Sequence, residues 1–319
     1  MNVLVTGANG FIGNKLLSTL SVDPVFNLFA VSRSPVTGSI NTHLIDNIDS
    51  FTNWSCMLKN QHVVIHTAAR AHIMKDEVGD RLVEYRRVNV DGTLNLARQA
   101  VDAGVKRFIF LSSIKVNGEQ TSFGQRFTAQ DNPAPEDAYG ISKYEAEQGL
   151  IQIAAETGLE VVIIRPPLVY GYGVKGNFFN IMRVVKKGIP LPLGGIYNKR
   201  SFIALDNLID LIISCINHPA AANQIFLASD GEDISTSELI RRLAKAAKVR
   251  SRLISVPGSI LMFTASLLNQ KAIAQRLLES LQVDINKTRD ILGWKPPLTV
   301  DEGLYRCFED PKEPISSYD

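Results

Sequence analysis

The sequence predicts an α/β protein whose core is a doubly wound parallel sheet. Three observations lead to this fold class. Short apolar runs rich in valine and isoleucine alternate with helical segments, most of these runs are apolar throughout, and a glycine-rich turn joins the first run to the first helical segment. Strands covered by helices on both faces have this uniformly apolar character, and a regular alternation of strands with helices is typical of parallel sheets.

The first half of the chain accounts for six predicted strands. They are expected at residues 2–7, 27–33, 42–46, 62–69, 105–113 and 159–167. Helical patterns at residues 83–104 and 138–158 precede the last two of them. Ligands of doubly wound sheets bind at the carboxyl ends of the strands. The residues at those ends are therefore candidate ligand contacts: Gly7, Ser32, Asp46, Ala68, Ser113 and Pro166.

The first turn has the features of a dinucleotide-binding turn. In "NVLVTGANGFIG" the glycines at positions 7, 10 and 13 lie between a strand and the helical pattern "FIGNKLLSTL". Gly7 permits the tight turn, Gly10 lets the backbone approach a pyrophosphate, and Gly13 lets the helix pack closely on the sheet. The helix N-terminus then presents free amides to an anion. A Rossmann-type fold is predicted, with Phe11 and Ile12 also in the cofactor site.

The second half of the chain is organised differently. From Pro166 onward proline and glycine become frequent, as in "PPLVYGYGVKG", and the alternation of strands and helices becomes irregular. We therefore predict a dinucleotide-binding Rossmann domain over residues 1–165. Residues 166–319 are expected to form mainly a smaller C-terminal substrate-binding lobe, with some segments returning to the Rossmann core.

Composition argues against several other classes of protein. Lys+Arg number 34 and Asp+Glu 32, a net charge of +2, whereas nucleic-acid-binding proteins concentrate a basic excess. The three cysteines and five histidines lack disulfide or metal-ligand spacing, so no metal site is expected. No secretory signal pattern opens the chain, and a cytoplasmic protein is predicted.

One apolar stretch, residues 253–268, raises the question of a membrane segment. Pro257 and Gly258 interrupt it, and the part that follows is too short to span a bilayer. A buried helix of the second lobe is predicted here, and shallow contact with a membrane surface is the alternative.

A tyrosine and a lysine four residues apart, Tyr139 and Lys143 in "DAYGISKYEAE", share one face of a predicted helix. A phenol with a pKa of about 10 is a poor base at neutral pH. A neighbouring ammonium group and an oxidised nicotinamide both favour the phenolate. In a nucleotide-binding fold, with Ser113 at the end of a strand, this pair predicts a proton-transfer site.

Several motifs, "TGANGFIG", "VIHTAAR", "FIFLSSIKVNG", "YGISK" and "IRPPLVYG" among them, occur in one order along almost the whole chain. In these the chain resembles the nucleotide-sugar branch of the extended short-chain dehydrogenase/reductases. The resemblance implies that Tyr139 is the proton donor or acceptor and that Lys143 is its electrostatic activator. Ser113 would orient the substrate carbonyl, with Ser112 as the competing serine. Asn117 departs from the family pattern, which has tyrosine there.

The resemblance also implies contacts to the cofactor. Asp46 and Asn47 would contact adenine, Ala68 and Ala69 would line the cofactor, and Asn89 would support the central strands or the active-site water. The alternative roles are structural. Asp46 would cap the end of a strand, Ala68 and Ala69 would be small for close packing, and Asn89 would cap a helix. Tyr139, Lys143 and Pro166 complete the predicted cofactor site.

Contacts to the substrate are implied mainly in the second half of the chain. Asn177 and Arg200 would hold a nucleotide diphosphate, since a guanidinium fork suits phosphate oxygens. A helix N-cap and a surface cation are their alternatives. Arg70 and His72 would face the sugar or lie in an ordinary surface loop, and Arg276 is a further phosphate candidate.

The end of the second predicted strand bears on the choice of cofactor. NAD-specific folds place a carboxylate there to accept hydrogen bonds from the ribose 2′-hydroxyl. This chain has Ser32 followed by Arg33 instead. NADP(H) is therefore predicted, and NAD(H) remains possible if Arg33 only stacks on adenine.

The amino-acid sequences of the substrate loops, such as "AARAHIMKDE" and "PLPLGGIYNKRSF", resemble those of the UDP-N-acetylquinovosamine dehydrogenases. That resemblance implies reduction of the C4 keto group of a UDP-4-keto-6-deoxy-N-acetylhexosamine for surface polysaccharide. The alternative is a UDP-hexose 4-epimerase with tightly bound NAD, and a third possibility is a non-catalytic dinucleotide-sensing module. A homodimer is implied through the helices around residues 84–103 and 139–157.

Overall fold

The computed structural model describes residues 1–36, 40–71, 80–122, 124–267 and 271–309. The strands in order are β1 (Asn2–Thr6), β2 (Asn27–Ser32), β3 (Asn41–Leu44), β4 (Val63–His66), β5 (Arg107–Leu111), β6 (Glu160–Arg165), β7 (Leu168–Tyr170), β8 (Arg200–Ala204), β9 (Gln224–Leu227) and β10 (Asp233–Ile234).

The α-helices are α1 (Phe11–Leu20), α2 (Ser55–Leu58), α3 (Arg81–Arg86), α4 (Thr93–Asp102), α5 (Ala138–Thr157), α6 (Asn177–Lys186), α7 (Leu205–Asn217), α8 (Thr236–Ala246), α9 (Gly258–Leu267), α10 (Lys271–Leu278), α11 (Asn286–Leu292) and α12 (Val300–Arg306). A π-helical segment (Arg87–Gly92) joins α3 to α4, and short 3₁₀ turns lie at Ile114–Val116 and Pro219–Ala221.

The main sheet has seven strands in the order β3-β2-β1-β4-β5-β6-β9, and every neighbouring pair is parallel. The predicted fold class is therefore confirmed. The chain winds outward in both directions from β1 and β4. The crevice at the carboxyl ends of these two strands is the topological switch point, which is where ligands of such sheets bind.

Helices cover both faces of this sheet. Successive residues of a strand point to opposite sides, so one strand contributes side chains to the core on each face. In β1, Val3 and Val5 join a core shared with α1 and α7, whereas Leu4 joins a core shared with α4 and α5. The central strands β1, β4, β5 and β6 are thus buried on both sides, whereas β3 at the edge of the sheet is partly exposed.

A second, three-stranded sheet has the order β10-β8-β7. It packs with α6, α8 and α12 around a separate core that includes Tyr170, Phe202 and Leu243. β9 comes after β7, α6, β8 and α7 in the chain. It nevertheless pairs with β6 at the edge of the main sheet. The domain boundary at residue 165 and the dimer through the helices around residues 84–103 and 139–157 stay predictions.

The apolar stretch near residue 260 differs from its prediction. It forms α9, as expected for a helix, but none of the residues of α9 is buried. The prediction of a buried helix is wrong because, among the residues that the structure describes, no element packs over Ile260, Phe263 and Leu267. None of the described helices is long and apolar enough to cross a membrane.

Candidate active site

The glycine turn after β1 leaves no room for side chains. Gly7 has a φ of 70°, and a Cβ on it would lie 2.7 Å from the backbone nitrogen of Ala68. A Cβ on Gly13 would lie 2.3 Å from the carbonyl oxygen of Gly7. Gly10 is the N-cap of α1 and offers no side-chain cap to its first amides. The turn, the end of β4 and the helix N-terminus therefore form a close-packed cradle that fits a dinucleotide pyrophosphate.

The end of β2 is tied to this turn. The amide of Asn9 donates to the carbonyl oxygen of Ser34 at 2.5 Å and to its hydroxyl at 2.7 Å. The Ser32 hydroxyl also donates to the Ser34 carbonyl, so it is engaged within its own loop. Arg33 is exposed beside it. Asp46 and Asn47 are exposed beyond β3.

Two adjacent serines follow β5 and differ in their surroundings. Ser112 is buried, and its hydroxyl donates to the carboxylate of Glu147. Ser113 is half-buried and caps the short turn that follows by accepting from the backbone nitrogen of Lys115 at 3.3 Å. Since Ser112 is engaged in the interior, Ser113 is the serine whose hydroxyl hydrogen remains available to a ligand.

α5 carries the tyrosine–lysine pair in its first two turns, with Tyr139 as its second residue and Lys143 as its sixth. Asp137 caps the helix by accepting from the backbone nitrogen of Gly140 at 2.7 Å. Tyr139 is half-buried with its ring edge-on to Tyr85, the ring centroids 5.9 Å apart. Burial, then the charges of Asp137 and Tyr85, raise the pKa of Tyr139. The phenol thus requires nearby positive charge to act as a base.

Lys143 is buried, at 1% exposure, with its Nζ 4.0 Å from the centroid of the Phe110 ring. Burial lowers the pKa of Lys143 to about 7, while the carboxylate of Glu147 acts in the opposite direction. Within the described part of the chain, neither the Lys143 ammonium nor the Tyr139 hydroxyl hydrogen-bonds to a protein group. Both groups are therefore free to bind ligand oxygens.

A buried network that the sequence analysis missed lies directly behind this pair. Glu147, one helical turn after Lys143, is fully buried and forms an ion pair with Arg165 at 2.5 Å. Arg165 also donates to the side-chain oxygen of Asn117 at 2.9 Å. The signal in the sequence was two charged residues at otherwise apolar positions. Asn117 stands where the family has tyrosine. Its side-chain oxygen accepts the hydrogen bond from the Arg165 guanidinium, which is a role for asparagine at this position.

The sequence analysis also did not identify a buried histidine, His66, the last residue of β4. His66 Nδ1 lies 2.6 Å from the hydroxyl of Thr6, and its Nε2 lies 3.0 Å from that of Thr93. Burial, and secondly the charge of Lys143, lowers the pKa of His66 to about 3. The ring is therefore neutral, and it adds no positive charge beneath the lysine.

Asn89 and Arg70 both have protein partners. The amide of Asn89 accepts from the backbone nitrogen of Arg70 at 2.8 Å and donates to its carbonyl and to Ser142. It thus ties the loop after β4 to α5. The guanidinium of Arg70 pairs with Glu84 at 3.1 Å. Their ligand contacts stay predictions, and His72 lies outside the described residues.

On the second lobe, Arg200 begins β8 and is half-buried, with its guanidinium donating to the carbonyl of Glu279 at 3.0 Å. Burial lowers the pKa of Arg200, Glu279 opposes this, and the like charge of Arg276 adds to it. Arg200 is therefore not a simple surface cation, and Arg276 lies near enough for its charge to act on the Arg200 guanidinium. Asn177 is exposed at the first position of α6, where Gly176 is the N-cap.

The fold and this site define a dinucleotide-binding enzyme of the α/β class, with a serine, a tyrosine and a lysine at the mouth of its cofactor crevice. A model of the NAD dependent epimerase/dehydratase family matches residues 3–228. The chain belongs to this family. The predictions of an enzyme and of a dinucleotide cofactor are thereby confirmed.

Individual relatives cover nearly the whole chain. A UDP-glucose 4-epimerase of Vibrio cholerae is 48% identical over 309 residues, 95% of this chain and 93% of the relative. An N-acetyl-alpha-D-glucosaminyl-diphospho-ditrans,octacis-undecaprenol 4-epimerase of Escherichia coli O157:H7 is 26% identical over 97% of this chain and 94% of the relative. The solved structure of MoeE5 in complex with UDP-glucose and NAD has a TM-score of 0.77 at 25% identity, over 96% of this chain and 97% of that one.

These similarities correct the predicted reaction. The 4-ketoreductase interpretation is wrong, because the 48% identity is to a 4-epimerase. The UDP-N-acetylquinovosamine dehydrogenase resemblance rested on short loop sequences, which do not distinguish two reactions that use the same proton-transfer residues. The predicted preference for NADP(H) gains no support, since the family is NAD-dependent and the MoeE5 structure contains NAD.

Proposed function

We propose that the protein is a UDP-hexose 4-epimerase that keeps NAD bound throughout its cycle. The observation that carries this proposal is the 48% identity to the Vibrio cholerae UDP-glucose 4-epimerase, which extends over 95% of the chain and so over both lobes. The arrangement of Ser113, Tyr139 and Lys143 at the switch point of the sheet supports it.

The residues around the crevice fit the cofactor. Gly7, Gly10 and Gly13 would hold its pyrophosphate, and the ammonium of Lys143, which makes no hydrogen bond to the described residues, would bind its ribose. Bound NAD would supply reversible hydride acceptance from C4 of the sugar. Arg33, exposed at the end of β2, would stack on adenine, which agrees with NAD as the resident cofactor.

Proton transfer is assigned to Tyr139. Its phenolate would take the proton of the sugar 4-hydroxyl as C4 is oxidised and would return that proton when the alcohol re-forms. Ser113 would donate a hydrogen bond to the same sugar oxygen. Because burial raises the pKa of Tyr139, the positive charge of Lys143 is needed to make the phenolate accessible at neutral pH.

The diphosphate is assigned to the second lobe. Arg200 and Arg276 supply two guanidinium groups on the same side of the site, and Asn177 supplies an amide at the start of α6. An epimerase must present both faces of C4 to one fixed cofactor. A firmly held diphosphate would allow this, since the sugar can turn about its link to the phosphates while the nucleotide stays in place.

The test uses the purified protein without added cofactor. We expect nucleotide released by denaturation to be NAD, and UDP-glucose or UDP-N-acetylglucosamine to be converted to its C4 epimer with no net change in absorbance at 340 nm. The Tyr139→Phe variant is the control for contaminating activity. Net consumption of NADH or NADPH with a UDP-4-keto sugar, in the absence of C4 interconversion, would overturn the proposal.

A further inference from the structure

We propose that α9 and the basic residues around it form a docking surface for an anionic membrane. The observation that opens this inference is an apolar helix with no buried residue. Ile260, Phe263 and Leu267 are 52%, 67% and 70% exposed. Their spacing of three and four residues places them on one face of the helix, and solvent-exposed apolar faces of this kind mark interaction surfaces.

The apolar surface continues beyond the helix. Ile254, just before α9, is exposed, and so is Ile189 after α6. The two segments are joined, since the backbone nitrogen of Leu191 donates to the carbonyl of Arg252 and the nitrogen of Ile254 donates to the carbonyl of Leu191. Ile189 and Ile254 therefore border the same part of the second lobe as α9.

The sequence on either side of this surface is rich in positive charge. Residues 243–278 contain no Asp or Glu but six basic residues, namely Lys245, Lys248, Arg250, Arg252, Lys271 and Arg276. Arg250 and Arg252 are exposed on the segment that leads into Ile254. Lys186 and Lys187, exposed at the end of α6, flank Ile189. The whole chain carries a net charge of only +2, so this basic character is local.

Exposed apolar side chains bordered by basic residues favour an anionic membrane as the partner over a second copy of the chain. A second copy of the chain, related by twofold symmetry, would bring the same positive charges face to face. An anionic bilayer instead accepts apolar side chains at its interface and attracts the cations with its headgroups. α9 is 10 residues long, too short to span a bilayer, so it would lie along the surface.

Docking there has a consequence for the site. α10 packs against α9 and carries Arg276, whose charge acts on Arg200. A membrane-bound molecule would therefore hold the two arginines close to the headgroup region. The docking surface itself does not depend on the proposed epimerase function.

The test is flotation of the full chain with vesicles of phosphatidylcholine alone or with about 30% phosphatidylglycerol. We expect binding to the anionic vesicles that decreases with added salt. The double variant Phe263→Ser, Leu267→Ser should lower the bound fraction at least tenfold, and Arg250→Gln, Arg252→Gln should lower it severalfold. Phe51→Ser, at an exposed phenylalanine in the first half of the chain, is the matched control and should bind like the unmodified protein.

Absence of binding to anionic vesicles would overturn the inference, as would equal binding by the Phe263→Ser, Leu267→Ser variant. Sedimentation velocity provides a further check: an oligomer that this variant disrupts would assign the surface to a second copy and not to lipid. Epimerase turnover of the variant in solution should equal that of the unmodified protein. That measurement separates failure of the docking surface from failure of the proposed function.

Discussion

Replacing Lys143 with methionine should stabilise the nucleotide-free protein at neutral pH while abolishing its activity. The lysine is 1% exposed, and burial lowers its pKa from 10.5 to about 7. Between those two pH values the unfolded chain binds the proton more readily than the folded protein does. The free energy of unfolding therefore rises with pH from about 7 to 10.5, because the cost of keeping Lys143 unprotonated in the folded state falls as the pH approaches 10.5.

The size of the effect follows from the same two values. The difference of about 3.5 pH units corresponds to up to about 5 kcal/mol at and below neutral pH. Water in the open cofactor crevice screens part of this cost, so we expect Lys143→Met to gain about 1–3 kcal/mol at pH 7 and about zero near pH 10. Turnover should fall by about 100-fold or more, because Tyr139 loses the cation that favours its phenolate.

The assay is urea unfolding of nucleotide-free protein at pH 7 and pH 10, followed by circular dichroism. Lys245→Met is the matched control, since the side chain of Lys245 is 81% exposed, and it should change the unfolding free energy by less than about 0.5 kcal/mol. Equal destabilisation by Lys143→Met at both pH values would show that the buried ammonium does not lower stability at neutral pH.

Three further predictions concern the same crevice. Tyr139→Phe should lower turnover by about 100-fold or more with cofactor affinity unchanged; initial rates within threefold of the unmodified enzyme would contradict its role. Arg165→Met leaves the buried Glu147 carboxylate without its ion-pair partner and should cost about 3–5 kcal/mol of unfolding free energy. Arg241→Met is the control, because its ion pair is exposed to solvent, and it should cost less than about 1 kcal/mol. Equal urea midpoints for the two variants would contradict this difference. Arg33→Gln should weaken NADH binding to nucleotide-free protein severalfold, because the guanidinium would no longer stack on adenine; an unchanged dissociation constant for NADH would contradict that role.

The fold class and the centre of the candidate site could be predicted from the sequence because both depend on local patterns. Uniformly apolar runs are characteristic of strands buried on both faces, and the glycine spacing defines the turn after β1 whatever surrounds it. Tyr139 and Lys143 share a face of α5 by helical periodicity alone. Ser113 follows from its position at the end of β5.

Local sequence patterns do not distinguish a reductase from an epimerase. Both reactions transfer a hydride at C4 and a proton at the attached oxygen, so they need the same residues in the crevice. They differ in whether the cofactor leaves after each turnover. That property depends on how tightly both lobes enclose it, which no short motif records.

Tertiary structure decided the remaining features because they depend on contacts between distant segments. Glu147 and Arg165 form one buried pair, although they come from a helix and a strand that neither pattern marks as partners. Arg200 binds the carbonyl of Glu279 only because β8 pairs with the segment that follows α10. The apolar sequence of α9 suggested burial, but a side chain is buried only where another element packs over it, and over the outer side of α9 the described structure places none.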